Sequence, residues 1–260
     1  MIIAIASGKG GTGKTTIATN LAYFLSKIKN KEVVLLDCDV EEPNAHLFFD
    51  LSGARKYNVD MPVPELMPDK CTGCGICGDV CRFSAIVNIG KLVIIHPNMC
   101  HGCSACWELC PEDALKQFHY PLGEISIKNS GKLTIGVGRL NIGEMSGNRI
   151  IARVKEFVEW DAINIIDVPP GTSCPVVESL LGVDFVILAA EPTPFGLANL
   201  KGIIELVRRL DVPFVVAINR AGLGNAGVAD FCRAEGIDVL AELPNDRLVA
   251  EVYAAGGLVA

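Results

Sequence analysis

The sequence predicts an α/β protein: a doubly wound, mostly parallel sheet with a small α+β module spliced into it. Three observations carry this prediction. Short, continuous apolar runs alternate with stretches of helical periodicity along most of the chain, the pattern of strands covered by helices on both faces. A glycine-rich turn, 7-SGKGGTGKTT-16, joins the first apolar run to the first helix. Two matched cysteine runs, 71-CTGCGICGDVC-81 and 100-CHGCSACWELCP-111, interrupt the alternation after the second strand.

Taken in order, MIIAIA at 1–6 reads as a buried strand, TTIATNLAYFLSKIKN at 15–30 as a helix and EVVLLD at 32–37 as a second buried strand. That strand–loop–helix–strand unit sets the parallel sheet. NVDMPVPELMP, 58–68, is proline-rich and reads as a linker, and the cysteine block fills 69–111. Within 115–140, EISI and KLTIGVG are short strand-like pieces joined by a turn at Asn129-Ser130-Gly131. Strands follow at 162–167, 184–190, 212–219 and 237–244, with helical stretches near 147–160, 174–182, 196–210 and 225–235. The segment 247–260 begins a helix and stops at a glycine pair, so the last helix is short or the natural chain continues. The expected division is 1–60 with 115–260 as the main domain and 61–114 as an insert. The cysteine runs repeat at an offset of 29 residues, Cys71 to Cys100, as an internal duplication would.

The 260 residues, half of them hydrophobic, suffice for one sizeable core and a small satellite. The formal net charge is −7. Duplex binding draws on a basic surface, so no nucleic-acid partner is expected. Arg208 and Arg209, near Lys201, read as the solvated face of a helix. The opening residues lack a basic region and a long apolar run, and no stretch is apolar enough to cross a bilayer. The expectation is a cytoplasmic protein without stable membrane insertion, in which patterned cysteines bind metal rather than pair as disulfides.

Gly8, Gly13, Lys14 and Thr15 have the spacing of a Walker A loop between a strand and a helix. Glycines let successive N–H groups turn inward around an anion, and the helix N-terminus adds positive charge. Lys14 can then reach the terminal phosphates and Thr15 can ligate Mg²⁺. The full spelling, Lys9-Gly10-Gly11-Thr12-Gly13-Lys14-Thr15-Thr16, resembles the deviant Walker A loop of the MinD/ParA/nitrogenase-iron-protein superfamily. The resemblance implies ATP or ADP bound with Mg²⁺ along Gly8–Thr16, ATP-dependent dimerisation, and Lys9 acting on the partner subunit's phosphates. The bland alternative for Lys9 is a loop lysine facing solvent.

Asp37 and Asp39 end the second strand, where ligands of open α/β sheets bind. By resemblance they form switch I: Asp39 orients or activates the attacking water, and Asp37 supports Mg²⁺ or the loop. Asp167, in 165-IIDVPPGT-172, resembles the Walker B aspartate, with Gly171 able to sense the γ-phosphate. Mg²⁺ is thus assigned to Thr15, Asp37, Asp39 and Asp167, and catalysis to Lys9, Lys14 and Asp39. A helix cap or turn residue is the plain alternative for each of these aspartates, above all for Asp37. Asn219 and Arg220 resemble the family's adenine-recognising position, with the loop Pro244-Asn245-Asp246 closing over the base; ordinary turn chemistry is the alternative for Asn219.

The spacing C-x2-C-x2-C-x3-C occurs twice. Zinc is the rival, but a structural zinc site takes four ligands, usually as separated pairs. The run is that of two-cluster bacterial ferredoxins, whose fourth cysteine serves the other cluster. This predicts one [4Fe–4S] cluster on Cys71, Cys74, Cys77 and Cys110, and a second on Cys81, Cys100, Cys103 and Cys106. Cys110 is followed by Pro111 but Cys81 by Arg82, whose charge is expected to raise the second cluster's potential slightly. His101 reads as an exposed or outer-sphere residue. With both clusters bound the net charge becomes roughly −11. Cys38, Cys174 and Cys232 read as small buried hydrophobes.

As a whole the chain resembles MinD-superfamily ATPases carrying an inserted two-cluster ferredoxin domain. That resemblance implies an ATPase that gates electron transfer to a redox partner, as a homodimer or paired with a sister ATPase. The alternative is an iron–sulfur or metal cofactor assembly ATPase that hands a cluster to an acceptor protein. A MinD-like positioning role would need a membrane-seeking or DNA-binding surface, which the charge does not supply.

Overall fold

The computed structural model describes residues 1–259. Its strands are β1 (Ile2–Ala6), β2 (Val33–Asp37), β3 (Arg55–Leu66), β4 (Ile86–Ile89), β5 (Leu92–Ile95), β6 (Leu115–Ser130), β7 (Leu133–Leu140), β8 (Ile163–Asp167), β9 (Phe185–Ala190), β10 (Phe214–Ala221) and β11 (Val239–Pro244). The helices are α1 (Lys14–Tyr23), α2 (Ile76–Val80), α3 (Ala105–Glu108), α4 (Asn148–Lys155), α5 (Cys174–Leu180), α6 (Pro194–Arg209), α7 (Gly227–Ala234) and α8 (Arg247–Ala254).

Nine strands form one sheet in the order β11-β10-β9-β1-β8-β2-β7-β6-β3. From β11 to β7 neighbouring strands run parallel, and β6 and β3 add an antiparallel edge. All five residues of β2 are buried. Val33 and Leu35 pack with α1 residues such as Ala18 and Ala22, whereas Val34 and Leu36 join Ile150, Val176 and Ile203 from α4, α5 and α6. The sheet is therefore covered on both faces, which is why its central strands read as continuous apolar runs. No described helix is long and apolar enough to cross a membrane.

The proline-rich stretch 58–68 corrects the linker expectation. Most of it lies in β3, paired with β6 from Arg55↔Ile127 to Leu66↔Leu115. Pro62 and Pro64 occupy alternate positions of an edge strand, so their missing N–H groups fall on the side with no partner. Likewise EISI is not an isolated piece but part of a 16-residue strand, β6. A bulge lies between Val59 and Asp60, opposite Gly123 and Pro121. Beyond it β3 and β6 leave the main sheet as a two-stranded arm, because β7 pairs β6 only over Gly123–Ser130.

The arm carries the cysteine segment, folded as the hairpin β4–β5 with the short helices α2 and α3. The 29-residue repeat is visible in the backbone. Gly73, Gly75 and Ser84 have positive φ, and so do Gly102, Ser104 and Asp113 at the corresponding positions. Ala85 N–H donates to the Cys81 sulfur and Ala114 N–H to the Cys110 sulfur, each at 3.3 Å. Ile86 and Leu115, another corresponding pair, are buried with Cys106 in the small core of this segment.

Candidate nucleotide and thiolate sites

The glycine loop sits at the carboxyl end of β1, between β8 and β9, where the sheet presents its loops to one edge. Gly13 takes φ of 91°, and a side chain there would meet Asn219 Nδ2 at 2.3 Å. Asn219 uses that Nδ2 to donate to the Thr12 carbonyl at 2.8 Å, so it braces the loop from β10. Ser7 ties the entrance: its hydroxyl donates to the Lys9 carbonyl at 2.6 Å and its carbonyl accepts Gly171 N–H at 3.0 Å.

A cleft of about 400 Å³ opens over this loop. It is walled by Gly10, Gly11, Gly13, Lys14, Thr15, Thr16, Asp39, Asn219 and Arg220, with Pro244, Asn245 and Asp246 on the far side. Its volume falls within the usual range for small-molecule sites. Gly8, Lys9, Thr12, Asp37, Asp167 and Gly171 do not line it.

The carboxylates divide into different tasks. Asp37 is fully buried and accepts backbone N–H bonds from Asp39 at 3.1 Å and from Asn44 and Ala45 at 2.9 Å. It thus folds the segment after β2 back on itself; burial, reinforced by Asp167, pushes its pKa well up. Asp167 is buried with neither carboxylate oxygen hydrogen-bonded. Burial raises its pKa to about 7, against the pull of Thr15 and Lys14. Asp39 faces the cleft with its pKa raised to about 6 by burial, Lys14 opposing. Burial lowers the pKa of Lys14, which Asp167, Asp39 and Asp37 partly offset. An unpartnered buried carboxylate beside a lysine and a threonine hydroxyl is a donor set that suits Mg²⁺ with a phosphate.

Lys9 does not line the cleft. Its ammonium pairs with Glu191 and lies 5.4 Å from the centre of the Phe195 ring. Glu191, at the end of β9, is buried and also accepts from Arg220 at 2.6 Å. Sequence reasoning missed Glu191, which directly follows an apolar strand but stands in no motif like the one that singled out Asp167. It also missed Glu42, Asn44, Val249, Ala250 and Tyr253 on the cleft wall. Tyr253 belongs to α8, whose ring packs 4.9 Å from Phe48 in the segment after β2.

The cysteines gather into two separate pockets. One is lined by Cys71, Cys74, Cys77 and Cys110, the other by Cys81, Cys100, Cys103 and Cys106. Each pocket thus takes three thiols from one run and the last from the other. N–H groups aim at the sulfurs: besides Ala85 and Ala114, Gly102 N–H lies 3.4 Å from Cys100 Sγ and Asn88 Nδ2 lies 3.3 Å from Cys77 Sγ. Among the described residues, no three His, Cys, Asp or Glu side chains converge tightly enough to hold a single metal ion. Four sulfurs spread around a shared pocket, with N–H donors behind them, fit a cluster that takes one thiolate per iron. His101 stacks on Phe83 with ring centres 3.8 Å apart. Cys38 and Cys232 are buried as expected, but Cys174 is exposed, a correction: it is the first residue of α5, at the surface rather than in the core.

The family described as the CobQ/CobB/MinD/ParA nucleotide binding domain matches residues 3–259. The chain is 32% identical over 263 residues to an uncharacterized protein of Methanocaldococcus jannaschii, covering 98% of this chain and 90% of that one. An iron-sulfur cluster carrier protein of Pyrococcus horikoshii is 24% identical over 274 residues, covering 98% of this chain and 77% of the relative. Among solved structures, the septum site-determining protein MinD of Pyrococcus horikoshii, complexed with Mg-ADP, superimposes with a TM-score of 0.58 at 19% identity, covering 98% and 86% of the two chains. With that match along nearly its whole length, the chain belongs to the CobQ/CobB/MinD/ParA nucleotide-binding domain family.

Proposed function

We propose that the chain is an ATP-binding and ATP-hydrolysing iron–sulfur protein whose nucleotide state gates electron transfer from two resident [4Fe–4S] clusters to a partner protein. The observation that supports this most is the sorting of eight cysteines into two four-cysteine pockets within one chain. Four thiolates saturate a cubane, so such clusters are built to stay.

In this reading Lys14, Thr15 and Thr16 bind the phosphates, and Thr15, Asp39 and Asp167 hold Mg²⁺, with Asp37 shaping the segment around it. Mg²⁺, when bound there, would offset the negative charge of the phosphates. Asp39 faces the cleft and orients the attacking water. ATP joins two subunits, identical or sister chains, and Lys9 leaves Glu191 to reach the partner subunit's phosphates.

The link to the clusters is local. Val40, one residue beyond Asp39, accepts Leu140 N–H at 2.8 Å. Asn141 then donates to Leu122 and Pro121 carbonyls at 3.0 Å each, and Arg149 Nε donates to the Asp60 carbonyl at 2.9 Å. These bonds end on the bulge from which the cysteine-bearing arm springs. A shift of Asp39 on hydrolysis therefore has a continuous route to the arm.

A second reading, an iron–sulfur cluster carrier, is favoured by relatives near 24% identity that are iron-sulfur cluster carrier proteins. The two readings part on one experiment. The reconstituted protein is reduced anaerobically and mixed with a small one-electron acceptor under ATP or ADP. Loss of the reduced-cluster EPR signal at a nucleotide-dependent rate, with iron retained, supports gating. Equal rates with both nucleotides, and iron lost to solution or to an apo-protein, supports the carrier.

A further inference from the structure

The two halves of the cysteine segment follow one pattern at an offset of 29 residues, in positive-φ positions, in N–H···S bonds and in buried apolar residues. They part at two polar positions. Gly102 N–H lies 3.4 Å from Cys100 Sγ, a backbone contact not matched at Gly73 and Cys71, and a side-chain donor is found only in the first half. Asn88, on β4, sends its amide Nδ2 to within 3.3 Å of Cys77 Sγ. Its counterpart in the second half, Gln117 on β6, is exposed and turned to His119 at 3.4 Å. The counterpart of Cys77 is Cys106, which is buried and shares its pocket with Pro64, Phe83, Ile86 and Trp107.

The approach of Asn88 is accommodated by a second residue. Gly78 lies inside α2, where glycine costs helix stability. A Cβ at that position would meet Asn88 Oδ1 at 2.2 Å. The counterpart of Gly78 is Trp107, which lines the other pocket. Thus the first half has a small residue with an inserted amide where the second half has a large apolar ring.

We propose, on the reading that both pockets hold [4Fe–4S] clusters, that Asn88 is a potential-setting residue: its N–H···S bond to Cys77 makes the Cys71/Cys74/Cys77/Cys110 cluster the easier of the two to reduce. Reduction adds one electron, supplied by a low-potential one-electron donor, and takes a tetrathiolate cluster from a charge of −2 to −3 with no bond to the protein made or broken. A donor N–H at a sulfur stabilises the added charge. Each pocket has one such bond from the residue before its buried apolar anchor, and the Gly102 contact at 3.4 Å adds a second to the other pocket. The difference therefore rests on the Asn88 amide at Cys77, against the Phe83 and Trp107 rings that share the pocket of Cys106 and donate nothing. Arg82 beside Cys81 was expected to favour the other cluster. It is exposed and does not line that pocket, so solvent screens its charge.

The placement has a consequence for direction. The second pocket lies nearer the base of the arm than the first: it includes Pro64, two residues before Leu66, and the backbone at Gly102 approaches Met61 and Pro62. The first pocket includes Leu66 and Leu115 at the arm's far end. The first electron accordingly rests on the cluster farther from the nucleotide-binding sheet.

The test is an EPR-monitored redox titration of the reconstituted full-length protein, as wild type, Asn88→Ala, Asn88→Asp and Gln117→Ala. Wild type should show two separate midpoints. Asn88→Ala should lower only the higher one, changing the reduced-to-oxidised ratio at fixed potential by about tenfold, which is about 59 mV for a one-electron couple. Asn88→Asp keeps the shape, removes the donor and should lower the same midpoint further; Gln117→Ala should move neither. Resonance Raman bands of the Fe–S(Cys) bonds should shift in the Asn88 variants alone. Full iron content with unchanged midpoints in both Asn88 variants, or a shift of the lower midpoint instead, overturns the assignment and leaves the two-cluster reading standing. Failure of the wild type to take up two clusters overturns that reading, and this assignment with it.

Discussion

Lys9 is paired with Glu191 of its own chain, and Glu191 is shared with Arg220. A lysine proposed to serve a partner subunit is thus held at home by a buried carboxylate directly after β9. Glu191→Gln removes the charge while keeping the shape. It should destabilise the nucleotide-free protein by about 1–3 kcal/mol, because two cations lose a buried partner. It should also lower the ATP concentration needed for dimerisation, since Lys9 no longer has to leave an ion pair. Denaturant unfolding reads the first effect and light scattering across an ATP titration reads the second; unchanged or weakened dimerisation would remove the proposed latch.

Lys14 and Asp39 should separate binding from turnover. Lys14→Ala takes the buried cation out of the cleft and should abolish measurable nucleotide binding in calorimetry. Asp39→Ala should retain binding and lose hydrolysis by at least about a hundredfold, the scale of a missing water-activating group. Full turnover in Asp39→Ala would contradict the catalytic assignment.

The carboxylates around the cleft give a pH dependence with a definite sign. Asp39 and Asp167 have folded-state pKa values raised to about 6 and about 7, above the unfolded value. The folded, nucleotide-free protein therefore binds these protons more tightly than the unfolded chain does. Their stabilising contribution is present below about pH 4 and is lost as pH rises through about 6 to 7. Mg²⁺ with ADP prefers the ionised carboxylates, so the gain in melting temperature on adding Mg-ADP should be larger at pH 8 than at pH 5.5. Differential scanning calorimetry at the two pH values measures this, and an equal or reversed gain would contradict it.

Gly138 tests the route from the nucleotide cleft to the arm. A Cβ there would lie 2.8 Å from Val40 Cγ1 and Val154 Cγ2 and 3.0 Å from Ile150 Cγ2. Gly138→Ala should therefore cost about 1–3 kcal/mol by overpacking. Because Val40 follows Asp39 directly, the variant should also change the ATP-dependence of cluster oxidation more than it changes ATP affinity. Stopped-flow oxidation and nucleotide titration, compared side by side, read that difference.

What the sequence made legible follows from how local each signal is. The unit β1–α1–β2 is spelled out by contiguous apolar runs and one loop, so neither its existence nor its order depends on distant contacts. The x2 spacing within each run makes it legible that its first three cysteines share a pocket, whereas the crossing of Cys81 and Cys110 to the opposite pocket follows only from the two-cluster ferredoxin pattern. The linker expectation failed at Pro62 and Pro64, since proline as a breaker assumes a central strand, and only the assembled sheet shows that β3 is an edge. Asn88 was invisible because its partner is chosen by the register of the hairpin β4–β5 and the missing side chain at Gly78. Lys9 had a motif, but its partner Glu191 is 182 residues away.

The central claim, that this chain keeps two clusters while it turns over ATP, is tested most directly by counting iron and sulfide. Anaerobically reconstituted protein is incubated with Mg-ATP and an apo-acceptor protein, then reisolated. The account predicts about eight irons and eight sulfides per chain before and after turnover, in step with two [4Fe–4S] clusters. Transfer of iron and sulfide to the acceptor in proportion to ATP hydrolysed would contradict it.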